Sequence, residues 1–160
     1  MDFLSNCKAW RVRIRCSKMT KISFYKLNND FIPLGFVCAL IKKAHYSSQK
    51  VLCQVPNQRI AESLDNLLWT KDTVSFIPHG VGSTNMPVAI STDPLPGDHY
   101  QLLINLCTKI PKWFSRFERI IEIVNSDKKE QHSKRESFQF YKDRGYPLAF
   151  FDLSKGSVNH

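Results

Sequence analysis

The sequence lacks a long apolar run, and this absence excludes a membrane-spanning segment. Its longest uninterrupted apolar stretch extends from Phe36 to Ile41, whereas about 20 residues are needed to cross a bilayer. The first 18 residues are basic and contain no apolar core of the roughly 7 to 15 residues that a secretion signal requires. We therefore expect a protein without membrane contact, located in the cytoplasm.

Motifs for disulfides and metal ions are also missing. The five cysteines are odd in number and irregularly spaced, and no two of them form a C-x-x-C pair. The five histidines are scattered, without an H-E-x-x-H motif. These spacings argue against a disulfide framework and against a zinc site, and they indicate a reducing compartment.

No motif for nucleotide binding or acyl transfer is present. A phosphate site of the usual kind needs G-x-G-x-x-G or G-x-x-x-x-G-K-[ST], because backbone amides must approach the phosphates closely. The only G-x-G, at residues 80–82, lacks the third glycine, and G-x-S-x-G is absent. Cys38 could meet His45, but it lies in an apolar run and is interpreted as a core thiol. We expect no cofactor and no catalytic residue.

Positive charge is abundant, and its distribution matters for the choice of partner. The net charge is +9, and +4 of it lies in residues 1–18. We interpret this segment as a disordered tail or a translation-start artefact, with Met19 as a possible true start; the alternative is a basic arm that touches DNA. The remaining charge suits attraction of an acidic peptide better than coating of a duplex.

Length and hydrophobic periodicity predict one α/β domain. The chain has 160 residues, of which 42% are hydrophobic, and strand patterns alternate with helix patterns. We expect a single-domain, three-layer sheet with helices on both faces. The predicted strands are 21–27, 50–55, 74–77, 87–91, 100–107, 117–124 with its two acidic residues facing outward, and 148–153; the predicted helices are 31–46, 57–69 and 126–144.

The last predicted helix carries a face that could bind a carboxylate. Helical spacing aligns Gln131, Arg135, Phe138 and Lys142 beside the end of strand 117–124. A cation next to an aromatic ring suits a carboxylate attached to an apolar group. Arg135 could instead pair with Glu136 or Asp127 on a solvated helix. We place Phe140 in the core and Phe138 outward.

Five sequence pieces, in order, resemble one family. They are M-T-K-I-S-F-Y-K-L at 19–27, L-D-x-x-L-W at 64–69, S-F-I-P-H at 75–79, P-V-x-I at 87–90 and R-E-x-F-x-F-Y-K-D-R-G-Y at 135–146. On these motifs, residues 19–154 resemble the chi subunit of bacterial DNA polymerase III holoenzyme. Residues 1–18 have no counterpart, and residues 155–160 form a C-terminal tail.

The resemblance implies a Rossmann-like fold and a non-catalytic adaptor in the clamp loader. Such a protein binds the psi subunit, and separately the acidic, Phe-terminated C-terminal tail of single-stranded DNA-binding protein. DNA contact would then be only indirect. The psi-facing surface falls around Trp69 and Phe76, and a helicase is a second candidate partner for the same surface.

The resemblance also assigns a tail-binding site. Arg135 would take the terminal carboxylate, and Val124 with Phe138 would hold the terminal ring. Gly145 belongs to the same site, with Gln131 and Tyr141 nearby. Some relatives have a second basic residue at the position of Gln131, and often Tyr or Trp at that of Phe138, so we expect a lower affinity for the tail.

Two other function classes stay open at this point. One is direct nucleic-acid binding through residues 1–18 together with Lys128, Lys129 and Lys134. The other is a nucleotide enzyme that has lost its motifs.

Overall fold

The computed structural model describes residues 19–28, 33–70, 78–82, 86–93 and 96–153. We number its elements along these segments. The strands are β1 (Lys21–Lys26), β2 (Val51–Gln54), β3 (His79–Val81), β4 (Val88–Ser91), β5 (Leu102–Asn105), β6 (Arg119–Val124) and β7 (Leu148–Asp152). The helices are α1 (Leu34–Tyr46), α2 (Gln58–Thr70) and α3 (Lys128–Asp143), and a short 3-10 helix spans Phe114–Arg116.

The strands form one sheet in the order β3-β4-β2-β5-β6-β1-β7. All six neighbouring pairs are parallel. Residues of β2, β4 and β5 are buried throughout, as expected for parallel strands that helices cover on both faces. The predicted α/β fold, with helices on both faces of a Rossmann-like sheet, is confirmed.

Helices α1 and α2 cover one face of the sheet. Their apolar stripes pack with residues of β2, β4, β5 and β6 into a first core cluster. Helix α2 begins where predicted, because the Asn57 side chain accepts a hydrogen bond of 2.9 Å from the Ile60 amide. The helix ends at Thr70, so Trp69 lies in its last turn.

Helix α3 covers the opposite face and is polar for a packed helix. Only Lys134, Ser137 and Tyr141 are buried on it, and aromatic rings around Phe114 complete a second core cluster. At its start, the Asp127 carboxylate accepts a hydrogen bond of 3.1 Å from the Glu130 amide. Aromatic packing and polar contacts, rather than an aliphatic stripe, therefore hold this helix against the sheet.

One expectation from the sequence is wrong, and others fall outside the described residues. The predicted strand 74–77 falls outside the described residues, and the edge strand there is β3. Of the two acidic residues in strand 117–124, Glu118 is exposed, but the expectation that Glu122 faces outward is wrong because its side chain is fully buried. Residues 1–18 and 155–160 also lie outside the described part of the chain.

Candidate functional site

A cleft opens between α3 and the carboxyl ends of β1 and β6, with β7 at its side. Its volume is about 410 Å³, within the range of pockets that bind small ligands or short peptide segments. The carboxyl ends of parallel strands are the usual place for a ligand in this class of sheet. The lining residues are Phe24, Lys26, Val124, Gln131, Lys134, Arg135, Phe138, Gln139 and Phe150.

Aromatic rings form the apolar part of this cleft. The Phe138 ring from α3 lies 5.3 Å from the Phe24 ring and 6.3 Å from the Phe150 ring, measured between centroids, and both contacts are edge-to-face. Val124 is almost fully buried at the end of β6, whereas 51% of Phe150 is exposed on the edge strand. A ligand ring could therefore cover apolar surface that water now contacts.

Arg135 is the exposed cation of the helical wall. In the described part of the chain its guanidinium makes no ion pair, and the two alternatives considered from the sequence do not occur. Glu136 lies 3.3 Å from His132 instead, and Asp127 caps the start of α3. The guanidinium is therefore available for an anionic ligand.

Gln131 links the helix to the sheet. Its side-chain amide donates a hydrogen bond of 3.1 Å to the carbonyl oxygen of Asn125, the residue that follows β6. The Asn125 side chain in turn donates to Glu130 at 2.7 Å. Gln131 thus lines the cleft and also connects the end of β6 to the first turn of α3.

Behind the cleft lies a buried polar network centred on Glu122. Lys134 donates from Nζ to one carboxylate oxygen at 2.6 Å, and the Tyr141 hydroxyl donates to the other at 2.9 Å. Asn105 donates to both oxygens at 3.3 and 3.2 Å, and Lys134 also donates to the Cys107 carbonyl at 2.7 Å. The network joins β5, β6 and α3, so it holds the helix against the sheet.

Burial keeps the Tyr141 hydroxyl protonated. Desolvation and the adjacent Glu122 carboxylate raise the pKa of Tyr141 far above its usual value. The hydroxyl is therefore a donor at any physiological pH, and the Glu122 carboxylate accepts its hydrogen bond at 2.9 Å.

The six residues that the sequence assigns to the tail-binding site separate into two groups. Val124, Gln131, Arg135 and Phe138 meet in the cleft. Tyr141 does not line it, because its ring is fully buried beneath and its hydroxyl is bonded to Glu122. Gly145 follows α3 with a φ of +79°, which favours glycine, and it turns the chain towards β7.

Five of the nine lining residues were not predicted from the sequence as part of this site; they are Phe24, Lys26, Lys134, Gln139 and Phe150. Phe24 and Lys26 come from β1, and Phe150 comes from β7. One signal for the first two was available, since strand alternation places Ile22, Phe24 and Lys26 on one face of β1. Nothing in the sequence indicated that this face meets α3.

One sequence-based expectation changes with the buried network. Lys134 is only 3% exposed and is paired with Glu122, so it cannot be a surface contact for nucleic acid. Lys128 and Lys129 remain exposed in the first turn of α3. Cys38, considered as a nucleophile, is fully buried in the first core cluster, as expected for a core thiol.

Of the two residues predicted for the psi-facing surface, the structure describes Trp69, whereas Phe76 lies outside the described residues. Trp69 is 52% exposed in the last turn of α2, and its ring lies 4.9 Å from the ring of buried His79 on the edge strand β3. Nε2 of His79 lies 2.9 Å from Oδ1 of Asp65, one turn before Trp69 on α2. The His79 ring thus contacts the indole, and Trp69 remains about half exposed.

Neither a metal cluster nor a membrane-spanning helix occurs in the described segments. No group of three or more His, Cys, Asp or Glu side chains is arranged there to hold a metal ion. None of the helices in those segments has the length and apolar character that a bilayer crossing requires.

A comparison with protein families matches residues 19–149 to the model described as "DNA polymerase III chi subunit, HolC". The match begins at Met19 and extends through α3 into β7. The chain belongs to the DNA polymerase III chi subunit family. The resemblance predicted from the five motifs is thereby confirmed, and with it a role as an accessory protein of DNA replication.

Three curated chi subunits are similar to this chain. The DNA polymerase III subunit chi of Pseudomonas aeruginosa is 31% identical over 134 residues, covering 81% of this chain and 94% of the relative. That of Escherichia coli is 25% identical over 141 residues, covering 81% and 96%. That of Haemophilus influenzae is 30% identical over 117 residues, covering 70% and 81%. Nearly the whole length of the first two relatives is therefore represented in this chain.

Proposed function

We propose that this chi-family chain is a non-catalytic adaptor of the clamp loader. The cleft would bind the acidic, Phe-terminated C-terminal tail of single-stranded DNA-binding protein, and the surface around Trp69 and Phe76 would bind the psi subunit. DNA contact would be indirect, through these partners. The cleft carries the proposal, because it combines an available guanidinium with an apolar, aromatic notch.

The chemistry of a C-terminal phenylalanine matches this combination. A terminal carboxylate needs a cation that no neighbouring carboxylate has already neutralised, and Arg135 meets this condition among the described residues. A planar guanidinium can also donate two parallel hydrogen bonds to one carboxylate. The benzyl ring needs apolar surface nearby, which Val124, Phe138 and Phe150 supply.

Capture of the partner protein tests the proposal directly. We expect immobilised chain to retain full-length single-stranded DNA-binding protein and to lose a version without its C-terminal tail. In a second control, an acidic peptide ending in Phe is added while the full-length protein is bound. The peptide should displace the full-length protein from the immobilised chain. Equal retention of the full-length and tail-less proteins would contradict tail binding at the cleft.

Trp69 provides the test of the psi surface. Replacing Trp69 with Ala should weaken psi binding by about 2 kcal/mol or more, since a half-exposed indole supported from below is typical of an interface hot spot. Titration calorimetry with purified psi measures the change, and an unfolding curve shows whether the fold is retained. The same titration with a helicase partner would show whether it uses this surface too.

Tyr100 supplies a matched control for this prediction. It is an aromatic residue that is 50% exposed, in the segment just before β5, far along the chain from α2. Tyr100→Ala should bind psi like the parent. Equal losses for Tyr100→Ala and Trp69→Ala would rule out a specific contact at Trp69.

A further inference from the structure

The cleft has a second available cation, Lys26, on the wall opposite the helix. Lys26 is the last residue of β1 and is partly buried. Its side chain makes no hydrogen bond or ion pair with any residue that the structure describes. Its backbone is fixed, because its carbonyl accepts a hydrogen bond of 2.8 Å from the Leu153 amide.

Strand geometry explains why this side chain reaches the cleft. Alternate residues of a strand share a face, so Lys26 lies on the same face of β1 as Ile22 and Phe24, which pack beneath α3. In register, Lys26 is the neighbour of Val124 on β6. The ammonium group therefore stands beside the apolar floor of the cleft.

The charges around the cleft single out two of its three cations. Lys134 is committed to Glu122 at 2.6 Å, which leaves Arg135 on the helix and Lys26 on the sheet. No carboxylate is among the lining residues. The nearest acidic neighbour of Lys26 in register is Asp152 on β7, which lies outside the lining and would repel an anion on that side.

We propose that Lys26 forms a second anion subsite, which binds a side-chain carboxylate of the acidic residues preceding the terminal phenylalanine. This inference rests on the proposed function, in which Arg135 binds the terminal carboxylate. Two cations on opposite walls fix the direction of the ligand: its end lies against α3, and its upstream residues leave over the end of β1. The site then selects for acidic residues near the terminus as well as for the terminus itself.

A comparison of two peptides tests the subsite by calorimetry. Both peptides end in Phe with a free carboxylate; one has acidic residues before it, and the other has the corresponding Asn and Gln residues. Lys26→Gln should raise the Kd of the acidic peptide about tenfold, as expected for loss of one charge-assisted contact. It should leave the neutral peptide unchanged. Lys21→Gln, at the exposed start of the same strand, should bind both peptides like the parent.

The outcomes separate this inference from the proposed function. If Lys26→Gln binds the acidic peptide as tightly as the parent while Arg135→Ala binds it much more weakly, the subsite is excluded and the tail site remains. If Lys26→Gln weakens both peptides equally, the residue acts through packing, and the anion subsite is also excluded. If the parent binds neither peptide, both proposals are overturned.

Discussion

Replacing Lys134 with Met is expected to lower the free energy of unfolding by about 3–5 kcal/mol. The substitution leaves the Glu122 carboxylate buried without its cation, and removal of one partner from a buried ion pair costs about this much. It also leaves the Cys107 carbonyl without the donor it now has at 2.7 Å. Denaturant unfolding followed by circular dichroism measures the change.

Two further variants give this prediction its control. Lys128→Met removes a lysine from the exposed first turn of the same helix and should change stability by no more than about 0.5 kcal/mol. Lys134→Met combined with Glu122→Gln should cost less than the sum of the two single changes, because the uncompensated charge is gone. Strictly additive losses would show that the two side chains do not stabilise each other.

Arg135→Ala is expected to weaken binding of an acidic peptide ending in Phe by about 2 kcal/mol or more, roughly thirtyfold in Kd. The cleft would keep its apolar notch but lose the group that recognises the terminal carboxylate. Amidation of the peptide should have a similar effect on the parent protein and add little to the Arg135→Ala variant. Titration calorimetry at two salt concentrations measures both effects, and the parent should bind more weakly at higher salt.

Arg144→Ala is the matched control for Arg135→Ala. It removes the same charge just after α3, where the guanidinium stacks 3.9 Å above the Phe140 ring rather than lining the cleft. Peptide affinity should therefore stay at the parent level. If Arg144→Ala and Arg135→Ala weaken binding equally, general attraction between opposite charges explains the result, and a specific carboxylate contact does not.

The sequence predicts most of the fold because its local signals agree. The strands predicted at 21–27 and 100–107 contain β1 and β5, and the side chains of Asn57 and Asp127 cap α2 and α3 close to the predicted helix starts. Each of these features depends on neighbours within a few residues. Strand order depends on segments that are far apart in the sequence, so only the structure shows that β1 lies between β6 and β7.

The buried network could not be predicted for a related reason. A glutamate in a strand and a lysine in a polar helix are each expected at the surface, since charged residues are rarely buried without a partner. Glu122 and Lys134 are buried because they are partners. Their pairing becomes visible only when α3 is placed against β6.

The candidate site was half predictable. Helical spacing brings Gln131, Arg135 and Phe138 to one face of α3, and the family resemblance added Val124. Phe24, Lys26 and Phe150 come from distant strands, and only the sheet topology adds them to the cleft. The sequence therefore indicated a helix face, whereas the structure shows an opposite wall that could bind charge as well.

The position of β1 also determines when the sheet can be completed during synthesis on the ribosome. Ribosomes synthesise β1 first, but its two neighbours in the sheet, β6 and β7, are the last strands to emerge. Contacts between such distant segments form late, because closing a long loop has an entropic cost. A nascent fragment that stops before β7 has neither Phe150 nor the strand that pairs with Lys26, so only chains that extend through β7 contain every residue that lines the cleft.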